Sequence, residues 1–297
     1  MNKFLYLLQQ KRLVLADGAM GTELINRGLK VGEPPESWNV THPELVRDIQ
    51  QKYVEAGAEI ILTNTFGGNR LKLKRAGMEE KWKEFNYAGV KIAREAAGDT
   101  SLVAGNLGPT GEFIQPYGDY QPLDIYQVYV EQVQILVEEG VDLLLIETMT
   151  DSQELEIAIR ACRDHSSLPI VACASFNKKG GDFRTFMGTT VSQIVKIMEE
   201  SGVTGIGTNC GDITPEEMSQ LIKKMARLTS RPLWAKPNAG LPAITEGKTI
   251  YPLSPKEFSP GVQKIVEAGV KIIGGCCGTS PEHIRILKTD LAKKNLI

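Results

Sequence analysis

Short apolar runs alternate with longer amphipathic segments along most of the chain. Eight apolar runs have the length of buried strands, at positions 13–16, 59–63, 102–106, 142–146, 170–175, 205–208, 233–236 and 270–274. Eight helical patterns follow them in turn, at 43–56, 81–97, 124–139, 153–163, 192–201, 215–228, 255–268 and 281–293. Strands that alternate with helices form right-handed βαβ units and a parallel sheet. Eight such units predict a (β/α)8 TIM barrel, with a doubly wound open sheet as the alternative.

The residues that end the helical segments support this order. A glycine follows four of the helical patterns just before a strand, at Gly57, Gly140, Gly202 and Gly269. Glycine at such a place adopts the left-handed conformation that closes a helix. Ahead of the first strand, an amphipathic stretch predicts a short N-terminal helix.

Composition narrows the class of protein. The chain has 297 residues, and because (β/α)8 barrels of about 250 residues fold around one core, we expect a single domain over 1–297. Lys+Arg number 34 against 36 Asp+Glu, so no charge excess favours nucleic acid or an anionic membrane surface. The sequence has no apolar run of about 18 residues and no signal-peptide pattern, and five cysteines do not indicate a disulfide framework. We therefore expect a cytoplasmic protein with reduced thiols.

Three cysteines follow predicted strands, at the rim where a barrel carries its active site. Cys210 ends strand six, and the adjacent pair Cys276 and Cys277 ends strand eight. Three thiolates are a soft ligand set that suits zinc and leaves its fourth tetrahedral position open. A redox-active vicinal disulfide between Cys276 and Cys277 is the alternative. The other two cysteines, Cys162 and Cys173, lie in a helix and a strand and are interpreted as small buried hydrophobes.

Neighbouring residues of a regular strand face opposite ways, so Cys276 and Cys277 can share one metal only where the strand has ended. The flanking Gly274, Gly275 and Gly278 would give the backbone that freedom. The stretch GIGTNCG, which contains strand six, resembles a dinucleotide fingerprint, but Cys210 occupies the place of its last glycine, and we discount it.

Two carboxylates also end strands: Asp17 follows strand one and Glu147 follows strand four. Each could form a salt bridge or a helix cap, or it could bind a substrate ammonium group. The amides of the segment from Gly18 to Met20 could form a small anion-binding nest beside Asp17. Together with the thiols, these groups would suit an amino acid that bears sulfur.

The segments DGAMGTEL, ILTNTFGGNRLKL, IETMTD, GTNC, KPNAGLP and GGCCGTSPEHI resemble those of the homocysteine S-methyltransferase family. The resemblance extends from about Asp17 to about Ile286, and it is greatest to the homocysteine-binding module of cobalamin-dependent methionine synthase. It implies a zinc barrel that converts homocysteine to methionine, with the three rim cysteines as zinc ligands.

The resemblance also implies roles for the groups around the thiols. Asp17 and Glu147 would contact the substrate amino group, the amides of Gly18 and Ala19 would meet its carboxylate, and the PNAG segment adds Asn238 as a substrate contact. Zinc deprotonates a coordinated thiol, so no general base is needed.

The methyl donor stays open. A methyl-corrinoid carried by another protein fits the resemblance to methionine synthase, and the aromatic and glycine-rich rim loops at 111–122 and 178–190 suit docking or simple covering of the rim. S-methylmethionine, S-adenosylmethionine or betaine would be small-molecule donors. A non-enzymatic homocysteine-binding subunit of a larger assembly and a vicinal-disulfide reductase are the remaining alternatives.

Overall fold

The structure is a computed structural model that describes residues 2–245 and 248–297. The described residues form twelve strands: β1 Val14–Leu15, β2 Ile60–Leu62, β3 Leu102–Leu107, β4 Leu143–Met149, β5 Ile170–Ala174, β6 Asn177–Lys179, β7 Asp182–Arg184, β8 Gly205–Asn209, β9 Leu233–Lys236, β10 Ala243–Thr245, β11 Lys248–Ile250 and β12 Ile272–Ile273.

Eight of these strands form one parallel sheet in the order β1-β12-β9-β8-β5-β4-β3-β2. Its two ends meet, because Ala16 and Ile60 form a parallel bridge and the Glu59 amide donates to the Leu15 carbonyl at 2.7 Å. The sheet therefore closes into a barrel. This confirms the predicted (β/α)8 TIM barrel over the doubly wound alternative.

The described helices are α1 Lys3–Gln10, α2 Met20–Asn26, α3 Trp38–Thr41, α4 Pro43–Ala56, α5 Arg70–Lys74, α6 Trp82–Ala97, α7 Pro122–Glu138, α8 Ser152–His165, α9 Val191–Glu200, α10 Pro215–Met225, α11 Pro255–Glu267 and α12 Pro281–Lys293. Eight of them, α4 and α6 to α12, are the predicted helices of the barrel, and α1 is the predicted N-terminal helix. The short helices α2, α3 and α5 lie in loops after barrel strands and were not predicted.

The predicted helix-closing glycines are confirmed. Gly57, Gly140, Gly202 and Gly269 all have positive φ, between 70° and 105°. Each stands where a helix ends and the chain turns into the next strand, so a side chain there would strain the backbone.

Two hairpins were not predicted, and two barrel strands differ from their predicted bounds by more than one residue at one end. The pair β6–β7 follows β5, and the pair β10–β11 follows β9, so both hairpins extend from the rim at the carboxyl ends of the barrel strands. Strand β4 continues to Met149 through an irregularity after Ile146, whereas the prediction ended it at 146. Strand β12 is shorter than predicted, and its two residues leave the following cysteines outside regular strand geometry.

The barrel interior is packed below the rim. Ile60, Leu145, Cys173 and Trp234 belong to its apolar cluster, and α1 adds Phe4 and Leu8. The Asn2 side chain, which caps α1, donates to the carbonyl of Asp142 just before β4, so α1 covers the amino ends of the strands. A second apolar layer, which contains Cys162, lies between the strands and the outer helices. Both cysteines are fully buried, as predicted for small hydrophobes.

No helix within residues 2–245 and 248–297 combines the length and the apolar character needed to span a bilayer.

Candidate active site

A cavity of about 560 Å³ opens at the carboxyl ends of the barrel strands. Most of the predicted site residues line it: Asp17, Gly18, Ala19, Glu147, Cys210, Cys276 and Cys277. Lys236 also lines the cavity and was not predicted as a site residue. The closed barrel thus brings together groups from the ends of β1, β4, β8, β9 and β12.

The three rim cysteines form one cluster. The Sγ atoms of Cys210, Cys276 and Cys277 all lie within 4.8 Å of one another, and those of Cys210 and Cys277 are 3.9 Å apart. Two sulfurs on a tetrahedral zinc, each at about 2.3 Å, would be about 3.8 Å apart. The spacing and the donor type of the cluster therefore fit a single zinc ion with three thiolate ligands.

The backbone explains how these thiols converge. Cys210 follows β8 with a left-handed φ of 57°, and Gly211 follows with a φ of 81°. Gly278 has a φ of 80°, as its predicted freedom requires, while Gly274 and Gly275 do not lie in the left-handed region. Instead, these two glycines allow close packing, since a Cβ on Gly274 would lie 2.6 Å from the Asp17 carbonyl oxygen.

The thiols resist ionisation in the absence of a cation. The hydrogen bond with Cys276 and burial raise the pKa of Cys210 to about 12, and the hydrogen bond with Cys210 and burial raise the pKa of Cys277 to about 11. Grouped thiols cannot all become anions unless a positive charge is bound among them. All five cysteines of the chain are free thiols in the structure.

Asn209 braces the cluster and was missed by the sequence analysis. Its Nδ2 lies 3.7 Å from Cys276 Sγ and donates to Thr148 Oγ1 at 2.7 Å. Its Oδ1 accepts from the Thr148 amide at 2.7 Å. Thr148 has a φ of 65°, and this reciprocal pair holds it in that conformation directly after Glu147. Asn209 therefore links the thiol cluster to the carboxylate end of the cavity.

One carboxylate oxygen of Glu147 has no hydrogen-bond partner among the described residues. Its Oε1 accepts from Asn106 Nδ2 at 2.9 Å, whereas Oε2 is buried and has no hydrogen-bond partner among the described residues. Burial raises the pKa of Glu147, and the charge of Lys236 and the Asn106 hydrogen bond partly oppose that increase. A buried acceptor without a partner is costly, so this oxygen is suited to a ligand that donates a hydrogen bond.

Both carboxylate oxygens of Asp17 accept hydrogen bonds from protein groups. Its Oδ1 accepts from Lys236 Nζ at 2.8 Å and its Oδ2 accepts from the Leu62 amide at 2.8 Å. Both side chains of the ion pair are almost fully buried, at 4% and 3% exposure. Burial lowers the pKa of Lys236, but the charges of Asp17 and Glu147 outweigh it and raise the pKa above its usual range. Lys236 is therefore a cation.

The glycine and alanine after Asp17 are tightly packed. A Cβ on Gly18 would lie 2.7 Å from both Thr279 Oγ1 and Tyr53 Oη, so only glycine fits. The Ala19 amide already donates to Thr279 Oγ1 at 3.1 Å.

Asn238 is bonded to the loop that carries Cys210. It is buried, its Nδ2 donates to the Gly211 carbonyl at 3.0 Å, and it is absent from the described residues that line the cavity. The amide of the next residue, Ala239, donates to the Cys277 carbonyl at 2.9 Å. In this structure Asn238 thus supports the loops that carry the cysteines.

The rim loops expose aromatic side chains, as their sequence suggested. Phe113 and Tyr117 lie in the loop after β3, and Phe186 lies between β7 and α9, each with more than half of its side chain exposed. These side chains stand at the same end of the barrel as the cavity.

Known proteins resemble this chain over nearly its whole length. The homocysteine S-methyltransferase family model matches residues 14–291. The methionine synthase of Mycobacterium leprae is 30% identical, over 96% of this chain and 25% of that protein. The methionine synthase of Mycobacterium tuberculosis is 31% identical, over 93% of this chain and 24% of that protein. This chain therefore spans about a quarter of the length of these curated relatives.

A solved structure, the metallated form of the homocysteine methyltransferase MmuM from Escherichia coli, superposes with a TM-score of 0.80 at 26% identity. The match covers 96% of this chain and 98% of that one. On the family model and these relatives, the chain belongs to the homocysteine S-methyltransferase family, a family of methyltransferases.

Proposed function

We propose that the protein is a zinc-dependent methyltransferase that moves a methyl group to the thiol of homocysteine and produces methionine. The observation that carries this proposal is the placement of three converging thiols and an uncommitted buried carboxylate oxygen in one cavity. A metal that binds sulfur beside an acceptor for an ammonium group matches the two ends of homocysteine.

Cys210, Cys276 and Cys277 would hold the zinc ion, and three protein ligands leave a fourth position for the substrate. When zinc is bound, it supplies the positive charge that deprotonates a coordinated thiol near neutral pH. Asn209 would keep Cys276 in place through its contact with Sγ. For this deprotonation the chain would supply only the zinc ligands, so no histidine is needed as a general base.

Glu147 would bind the substrate ammonium group through Oε2. The ammonium would replace the missing hydrogen bond and also neutralise a buried charge. Asp17 would lie beside it, and the segment from Gly18 to Ala19 would face the substrate carboxylate; because the Ala19 amide is already bonded to Thr279, the Gly18 amide is the better donor. These contacts would orient the homocysteine sulfur towards the thiol cluster.

For the donor we propose a methylated corrinoid carried by a protein partner. The thiolate of homocysteine would attack the methyl carbon, form the S–C bond, and leave the Co–C electron pair on cobalt as Co(I). The support is the similarity to two methionine synthases, of which this chain spans about a quarter. The exposed Phe113, Tyr117 and Phe186 on the rim offer apolar contacts to such a partner.

A small methyl donor is the second candidate. The observation in its favour is the structural match to the E. coli homocysteine methyltransferase, with a TM-score of 0.80. A donor of this kind would enter the same cavity without a docked partner.

A donor screen tests the proposal. Zinc-loaded protein is incubated with homocysteine and either methylcobalamin, S-methylmethionine, S-adenosylmethionine or betaine, and methionine is measured by mass spectrometry. We expect slow methionine formation from free methylcobalamin and faster formation from a methylated corrinoid protein. Rapid turnover with S-methylmethionine and none with methylcobalamin would overturn the corrinoid assignment. Homocysteine binding without methionine from any donor would make the chain a binding subunit.

A further inference from the structure

Lys236 is the cation of the cavity's amino-acid end, which we define as Asp17, Gly18, Ala19, Glu147 and Lys236. It stands at the last position of β9 and is 3% exposed. A buried lysine is costly unless it is paired, and the ion pair with Asp17 at 2.8 Å offsets part of the cost of removing both charges from water. Apolar side chains of similar volume would fill this place at lower cost, so stability alone does not explain the buried pair.

The ion pair changes the charge that a substrate meets. Without Lys236, the amino-acid end would carry two carboxylates, Asp17 and Glu147, and a net charge of about −2. With Lys236, Asp17 is neutralised and its two oxygens are bonded to protein, so Glu147 alone contributes the net charge of about −1. Of these two carboxylates, Glu147 is the one with an oxygen that has no hydrogen-bond partner among the described residues.

From this arrangement we infer that Lys236 is a specificity-determining residue: by pairing with Asp17 it makes the site select a zwitterionic thiol amino acid over a cationic aminothiol. The inference rests on the proposed function, because it assigns the ammonium to Glu147. A zwitterion has a carboxylate that a second uncompensated aspartate would repel, whereas an aminothiol without a carboxylate would gain from that extra negative charge.

The two substrate classes separate this role from general structural support. Homocysteine is the zwitterion, and 3-mercaptopropylamine is the same molecule without the carboxyl group. Dissociation constants for both are measured by calorimetry with zinc-loaded wild-type protein, Lys236→Met and the double variant Asp17→Asn with Lys236→Met. Methionine matches the length of lysine without its charge, and the double variant replaces the ion pair with a neutral pair of similar shape.

We expect Lys236→Met to bind homocysteine more weakly and 3-mercaptopropylamine at least as tightly as wild type. The preference for homocysteine should fall by about tenfold to a hundredfold, which is the effect of one unit charge several ångströms away at an effective dielectric constant of about 20. The double variant restores the net charge, so its preference should return to within about threefold of wild type, a difference of less than 0.7 kcal/mol by the conversion used for affinities.

Three results would overturn the inference. Equal weakening of both ligands by Lys236→Met would indicate a structural role only. A double variant that keeps the reduced preference would show that Lys236 contacts the substrate carboxylate directly instead of acting through Asp17. If Lys236→Met does not fold, the double variant alone tests the inference. A double variant whose preference for homocysteine over 3-mercaptopropylamine differs from that of wild type would then contradict it. Wild-type protein that binds neither thiol would refute the proposed function itself.

Discussion

Glu147→Gln is the substitution that tests substrate recognition most selectively. The change removes the carboxylate charge with little change of shape. The hydrogen bond from Asn106 Nδ2, 2.9 Å long, can persist, because a glutamine oxygen also accepts. The group that replaces Oε2 is an amide NH2, a donor, at the place where the substrate ammonium would need an acceptor.

The size of the effect follows from that single lost interaction. A hydrogen bond to a charged group contributes about 1.5–3 kcal/mol, and each 1.4 kcal/mol is about a factor of ten in affinity. We therefore expect homocysteine to bind Glu147→Gln about tenfold to a hundredfold more weakly, with unchanged zinc content. Calorimetric titration of zinc-loaded protein with homocysteine measures this directly.

Glu154→Gln is a matched control. Glu154 is a second buried carboxylate, but it accepts hydrogen bonds from Thr110 and Tyr129 and is absent from the described residues that line the cavity. Its substitution should leave homocysteine affinity unchanged. If Glu147→Gln binds homocysteine like wild type, the ammonium is held elsewhere and the reasoning fails.

The other predictions concern the metal and the stability of the site. Cys210→Ala should lose both zinc, measured by plasma emission spectrometry, and methyl transfer, while Cys162→Ala should keep both; full zinc occupancy in Cys210→Ala would contradict the ligand assignment. Asn209→Ala should lower zinc affinity by about tenfold to a hundredfold in chelator competition, since it removes the hydrogen bond to Cys276; unchanged affinity would remove Asn209 from the metal site. Because burial raises the pKa of Glu147, the folded state keeps a proton that the unfolded state has released only between pH 4.5 and the folded-state pKa. Stability therefore falls as pH rises through that window, above which the folded state contains the buried carboxylate. Near neutral pH, metal-free Glu147→Gln should therefore have a higher melting temperature than metal-free wild type, and this difference should shrink below pH 4.5. An equal difference in melting temperature at both pH values would contradict burial of the carboxylate as its cause.

The barrel could be predicted from sequence because its strands and helices have different hydrophobic periods. Strands buried on both faces read as continuous apolar runs, and the outer helices carry one apolar stripe. The hairpins β6–β7 and β10–β11 have three-residue strands without such a run, and α2, α3 and α5 are too short for a helical period. Hairpin β6–β7 also makes nonlocal contacts, such as the ion pair between Lys224 and Asp182, which a local pattern does not contain.

The same limit applies to the site. Cysteines and carboxylates that end strands could be identified because the rim of a barrel gathers every strand end. Lys236 ends a strand too, but its partner Asp17 is 219 positions away, and only the closed barrel brings the two together. The unpaired oxygen of Glu147 and the contact of Asn209 with Cys276 likewise depend on side-chain placement.

X-ray absorption at the zinc edge tests the central claim, that three thiolates hold a zinc ion that takes the substrate sulfur. Zinc-loaded protein is measured alone and with selenohomocysteine, in which selenium marks the substrate atom. We predict a sulfur shell of three ligands at about 2.3 Å in both samples, with one additional zinc–selenium contact after selenohomocysteine is added. A zinc spectrum without selenium in the first shell, from protein saturated with selenohomocysteine, would contradict the account.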